Sequence, residues 1–178
     1  MFIHTKCMPR KKIIPDRAIF VIVHGLLASG GDRSVSFGTV SKASGLAPPT
    51  LVQRFGSRDG MVKAALLAAW DALDASTAAA IAATADKGPQ GLLKALGADE
   101  TKDVERTLLA MDFRDEDLRL RAAGWRATVE SALALRLGSG VKEREAASVI
   151  FAAWQGQVLW NTAGGRGFRL KDAVKRLT

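Results

Sequence analysis

Thr50, Gln53 and Arg54 are spaced to fall on one side of a helix. Their types suit base recognition rather than bond-breaking chemistry. Glutamine can pair with adenine and arginine with guanine, while threonine can reach a phosphate or a thymine methyl. Pro48-Pro49 sits just ahead of them, and proline is tolerated in a first turn, whose N–H groups have no intrahelical partner. Ser36 and Ser57 each precede a predicted helix, whose free N-terminal amides suit a phosphate. Thr39 lies in the first turn after Ser36, and Arg58 adds a charge beside Ser57.

Two short helices that cross steeply must present these side chains. The spacing predicts one over 36–44 and a second over 48–55. Gly45 between them supplies the residue tolerant of positive φ that such a turn needs. Ala43 is expected to give the small surface where the helices touch, with Leu46 plugging the gap between them. Val40, Leu51 and Phe55 would hold the pair against an earlier helix running from Asp16, as N-cap, to about Ser29.

The segment from Val35 to Met61 resembles the signature of the TetR family of transcriptional regulators. In that signature an Ile-Ala-x-x-Ala-Gly-Val turn precedes a Thr-Leu-Tyr-x-x-Phe recognition helix, and Gly-Ser-Lys opens a long connecting helix. This chain carries Val40-Ser41-Lys42-Ala43-Ser44-Gly45-Leu46, Thr50-Leu51-Val52-Gln53-Arg54-Phe55 and Gly56-Ser57-Arg58. Val52 replaces the usual tyrosine and removes a phosphate-contacting hydroxyl. Arg58 replaces the lysine and keeps its charge. The resemblance implies an all-α protein: a three-helix helix-turn-helix domain at 1–57, then a helical bundle at 58–178 that dimerises and holds an effector. It also implies double-stranded DNA as a partner, read as a palindromic operator, and a repressor released by a small apolar ligand.

Charge points the same way. Residues 1–60 carry nine Lys/Arg against three Asp, whereas 61–178 carry seventeen basic and fifteen acidic residues. The basic first third suits a polyanion. Cys7 stands alone, which excludes an intramolecular disulfide, and His4 and His24 are too few for a zinc site. No cofactor is expected. Phosphate-loop, dinucleotide and nucleophile-elbow motifs are all missing, and 164–167 lacks a preceding strand. The acids fall beside bases at helical spacing, as solvated surface does. No enzyme activity is expected. No uninterrupted apolar run nears the roughly 20 residues a bilayer needs, so a cytoplasmic chain without a membrane partner is expected.

The second half reads as helices over about 58–85, 90–96, 102–111, 115–137, 142–163 and 170–177. Trp70, Met111, Phe113 and Trp125 are candidates for an apolar effector cavity, or equally for ordinary core. The helix from Lys142 is apolar around much of its circumference, more than one neighbour covers. Ala147, Ile150, Phe151, Trp154 and Val158 are therefore expected at a homodimer interface. Two other readings remain open: a nonspecific architectural nucleic-acid binder, and a helical-bundle carrier or enzyme.

Overall fold

The computed structural model describes residues 14–98, 115–138, 140–162, 164 and 172. Among them every regular element is a helix. These are α1 (Asp16–Gly30), a 3-10 turn (Asp32–Ser34), α2 (Phe37–Ser44), α3 (Pro48–Phe55), α4 (Arg58–Ala83), α5 (Pro89–Leu96), α6 (Glu116–Leu137) and α7 (Val141–Thr162). Expected helices over 102–111 and 170–177 lie outside the described residues. The chain forms two compact units that meet in sequence at Ala65–Leu66.

In the first unit α1, α2 and α3 close on a small core of Ile19, Val23, Val35, Val40 and Leu51, all buried. Phe20 of α1 and Phe55 of α3 add a tilted ring pair, 6.0 Å between centroids. The unit passes the boundary expected after Ser57. Met61, Val62 and Ala65 in the first turns of α4 are buried, and His24 Nε2 lies 2.9 Å from the Ala65 carbonyl, to which it donates. Asp16 is not the N-cap of α1 as expected. Pro15 holds that position, and the Asp16 carboxylate is turned toward Arg54.

In the second unit α6 and α7 pack along one another, and α5 meets α6. Leu92, Leu93, Leu96, Leu118, Val129 and Leu133 are among the buried residues. Arg136 donates to the carbonyls of Ile81 and Thr84, each at 3.1 Å. That places a cation on the C-terminal carbonyls of α4, where the helix dipole favours it. Asp115 caps α6 by accepting from the Asp117 and Leu118 amides. Among the described helices α4 alone is long and apolar enough to cross a bilayer by composition. Asp71 and Asp74 interrupt its apolar run. Both acids pair with Arg121 of α6, and Leu66, Ala69, Trp70 and Leu73 of the same helix are buried.

Candidate nucleic-acid interface

The start of α2 is built by reciprocal hydrogen bonds. Ser36 Oγ accepts from the Thr39 amide at 3.0 Å, and Thr39 Oγ1 accepts from the Ser36 amide at 2.9 Å. Thr39 Oγ1 also donates to the Ser34 carbonyl. Both side chains are exposed, and both are engaged in holding the helix end. The helix stops at Gly45, with φ 73° and ψ 8°, a left-handed conformation that costs other residues about 1 kcal/mol. The turn is therefore where the glycine predicted it. Ala43, expected where the helices touch, is exposed, Leu46 is half-buried, and Val40 and Leu51 are buried.

At α3 the first turn has an unusual donor inventory. Pro48 and Pro49 carry no N–H, and the Thr50 amide already donates to the Ala47 carbonyl at 2.9 Å. Pro48, Pro49, Val52 and Gln53 face solvent, while Thr50 is half-buried and Leu51 is core. Gln53 makes no hydrogen bond among the described residues, so its amide is available. Arg54 is not. Its Nη1 donates to the Ile14 carbonyl at 2.6 Å and to Asp16 Oδ1 at 3.2 Å, and its side chain is only 27% exposed. Of the expected reading trio, Gln53 is thus exposed with its amide unengaged, Thr50 is turned partly inward, and Arg54, exposed over the residue as a whole, is paired with an acid from α1. Val52, 44% exposed, joins the outward face instead.

Ser57 Oγ accepts from the Gly60 amide at 2.9 Å, beginning α4. Arg58, expected as a phosphate contact, is committed within the protein. Its Nη2 lies 2.6 Å from Asp32 Oδ1 and also meets the Asp32 carbonyl; its Nη1 lies 2.7 Å from Asp59, and its Nε donates to the Val35 carbonyl at 3.1 Å. Hydrogen bonds to Asp32 first and Asp59 second raise the guanidinium above its ordinary pKa against a smaller desolvation. Arg17, Arg33 and Lys42, by contrast, are exposed and have no ion-pair partner among the described residues. Sequence reading passed over them. Their signal was arithmetic: the first unit's acids suffice for Arg54 and Arg58 and leave other cations over.

In the second unit, Trp70 and Trp125 come together with ring centroids 6.0 Å apart, and Trp125 also meets Phe151 at 5.6 Å and Trp154 at 6.5 Å. Trp125 Nε1 donates to buried Thr77 Oγ1 at 2.8 Å, whereas Trp70 Nε1 is buried without a partner among the described residues. Met111 and Phe113 lie outside the described residues. A cavity of about 450 Å³ lies elsewhere, lined by Ala127, Glu130, Ser131 and Leu135 of α6 with Arg144 and Ser148 of α7.

The dimer-interface residues expected on α7 need correcting. Ala147, Ile150, Phe151 and Trp154 are buried inside the protomer, so none presents itself to another chain. Val158 is half-buried. One face of an apolar helix closes its own core, and here it is this one. The opposite face is exposed: Val141, Val149, Leu159 and Trp160 on α7, with Leu120 and Leu135 on α6.

No protein-family profile and no curated protein sequence matches the chain. In fold it is similar to a crystal structure assigned to the TetR family of transcriptional regulators, from Rhodococcus sp. The TM-score is 0.65, over 91% of this chain and 94% of that one, at 18% identity. That likeness establishes the all-α fold, the same architecture that the Val35–Met61 motif implies.

Proposed function

We propose that the chain is a DNA-binding transcriptional regulator that reads a palindromic operator as a homodimer, and that it is not an enzyme. The supporting observation is the pair α2 and α3, joined at left-handed Gly45, with an outward face on α3 that carries a free glutamine amide. A helix-turn-helix presents the N-terminal part of its second helix to the major groove. Exposed Arg33 and Lys42 supply phosphate contacts there, in place of the engaged Arg58.

A second copy of the chain covers the outward faces of α6 and α7. On α6, Leu120, Gly124, Ala127, Ser131 and Leu135 recur every three or four residues, all exposed. On α7, Val149, Ala152, Leu159 and Trp160 are likewise exposed on one side of the helix. Small residues let helices approach closely, and the large ones give a four-helix contact apolar area to bury. A two-fold dimer would place two recognition helices on half-sites one or more turns apart. Release by a small apolar ligand, and hence repression in the cytoplasm, belongs to the same reading. Such a ligand must bind the DNA-incompetent state more tightly. Trp70, whose buried Nε1 lacks a partner among the described residues, is the residue through which it would be sensed.

Selection of bound sequences from random duplex DNA, with the full chain, tests the proposal. Enrichment of one palindrome is expected. Equal binding of all sequences with a steep salt dependence would overturn it in favour of an architectural nucleic-acid binder.

A further inference from the structure

We infer that Pro49 and Val52 form an apolar contact for thymine C5-methyl groups, so that the half-site carries A·T pairs opposite α3. The inference rests on the DNA-binding reading above. Its starting point is what α3 lacks. The first turn offers no free amide, because Pro48 and Pro49 have none and the Thr50 amide is held by Ala47. A helix start of this kind cannot cradle a phosphate. The cation on the same helix, Arg54, is turned back to Ile14 and Asp16. That leaves the outward surface of α3 with Pro48, Pro49 and Val52 around one polar head, the amide of Gln53.

The major-groove edges of the four bases narrow the match. Guanine offers two acceptors, which are best met by a cation, and none is free on this face. Cytosine offers a donor, best met by a carboxylate, and α3 has no acid. Thymine alone presents an apolar group, its C5-methyl, and adenine alone presents the donor–acceptor pair that a glutamine amide bonds twice. Both belong to an A·T pair. Pro49 lies three positions before Val52 and four before Gln53, the two spacings that make neighbours on a helix surface, so Pro49 stands beside both the valine methyls and the amide. Val52 is exposed, so the valine is not required by the core. Its branched methyls present a rigid surface of about the right size for one methyl group.

The experiment uses the full-length protein and its selected operator. Each half-site thymine is replaced in turn by uracil, which differs only in lacking the methyl. Burial of one methyl predicts an affinity loss of about three- to fivefold at each contacted position. Val52→Ala and Pro49→Ala should bind the thymine operator more weakly and lose that discrimination, while folding normally by circular dichroism. Restoring a methyl at the same place, by putting 5-methylcytosine at a T→C position, should recover part of the loss for the unsubstituted protein alone. Indifference to uracil at every position would overturn the inference while leaving the regulator reading intact. So would a full uracil penalty retained by both variants. A selection that enriches no sequence would overturn the regulator reading and this inference together.

Discussion

Arg54 Nη1 lies 2.6 Å from the carbonyl of Ile14, forty residues earlier in the chain. The contact ties the C-terminal part of α3 to the residues entering α1, and Asp16 reinforces it. A charge-assisted bond to a backbone carbonyl fixes a helix more firmly than an exposed ion pair does. Position in the motif and role in the fold therefore separate at this residue.

Arg54→Ala should cost about 1–2 kcal/mol of stability in urea denaturation and leave the selected operator sequence unchanged. Gln53→Ala should do the reverse, leaving stability within about 0.5 kcal/mol and relaxing preference at one base pair by about 1–3 kcal/mol. If Arg54→Ala shifts the selected sequence at unchanged stability, Arg54 is a base-reading residue after all.

The cations differ in the same way. Arg33 and Lys42 are exposed and unpaired among the described residues, whereas Arg58 is held by Asp32 and Asp59. Each phosphate contact removed should lower the slope of log affinity against log salt by about 0.9. Titrations of Arg33→Ala and Lys42→Ala across salt should show that drop at every DNA sequence. Arg58→Ala should keep the wild-type slope and lower thermal stability. Arg58→Lys should not restore it, since an ammonium cannot span two carboxylates and the Val35 carbonyl as a guanidinium fork does.

How much of this was legible follows from how far each cause reaches along the chain. Gly45 was readable because a left-handed turn is a local demand of the backbone, and Val40 and Leu51 because their burial follows helical period. The partners of Arg54 and Arg58 were not legible, because Asp16 and Asp32 are distant in sequence and nothing in the motif announces them. The exposure of Ala43 was not legible for the converse reason: a small residue near a turn fits a contact without requiring burial. On α7 the pattern was ambiguous in principle. With Ala147 and Ile150 on one side and Val149 and Ala152 on another, both faces are apolar, and only the position of α6 decides which is core.

That ambiguity separates two kinds of substitution on α7. Val149→Arg and Trp160→Glu place charge on the exposed face, and should yield a folded monomer by sedimentation with much weaker operator binding. Ile150→Ala removes a fully buried side chain and should cost about 2–5 kcal/mol, seen as early unfolding. A dimer that survives both charged substitutions would mean the second copy docks elsewhere.

Inside the second unit, Thr77 and Trp125 provide a test of the aromatic cluster that does not depend on any ligand. Trp125 Nε1 is buried and its partner is the Thr77 hydroxyl. Thr77→Val keeps the side-chain shape and removes the acceptor, stranding the indole N–H at a cost of about 1–3 kcal/mol. Thr77→Ser keeps the acceptor and removes one methyl, at about 1 kcal/mol. The order of stability in thermal melts should therefore be wild type, then serine, then valine, and a valine variant more stable than serine would show that packing outweighs this hydrogen bond. The same melts set the reference for ligand screening. A molecule offering an acceptor to the buried Trp70 Nε1 should raise the melting temperature of all three proteins, because binding to the folded state alone stabilises it whatever the starting stability.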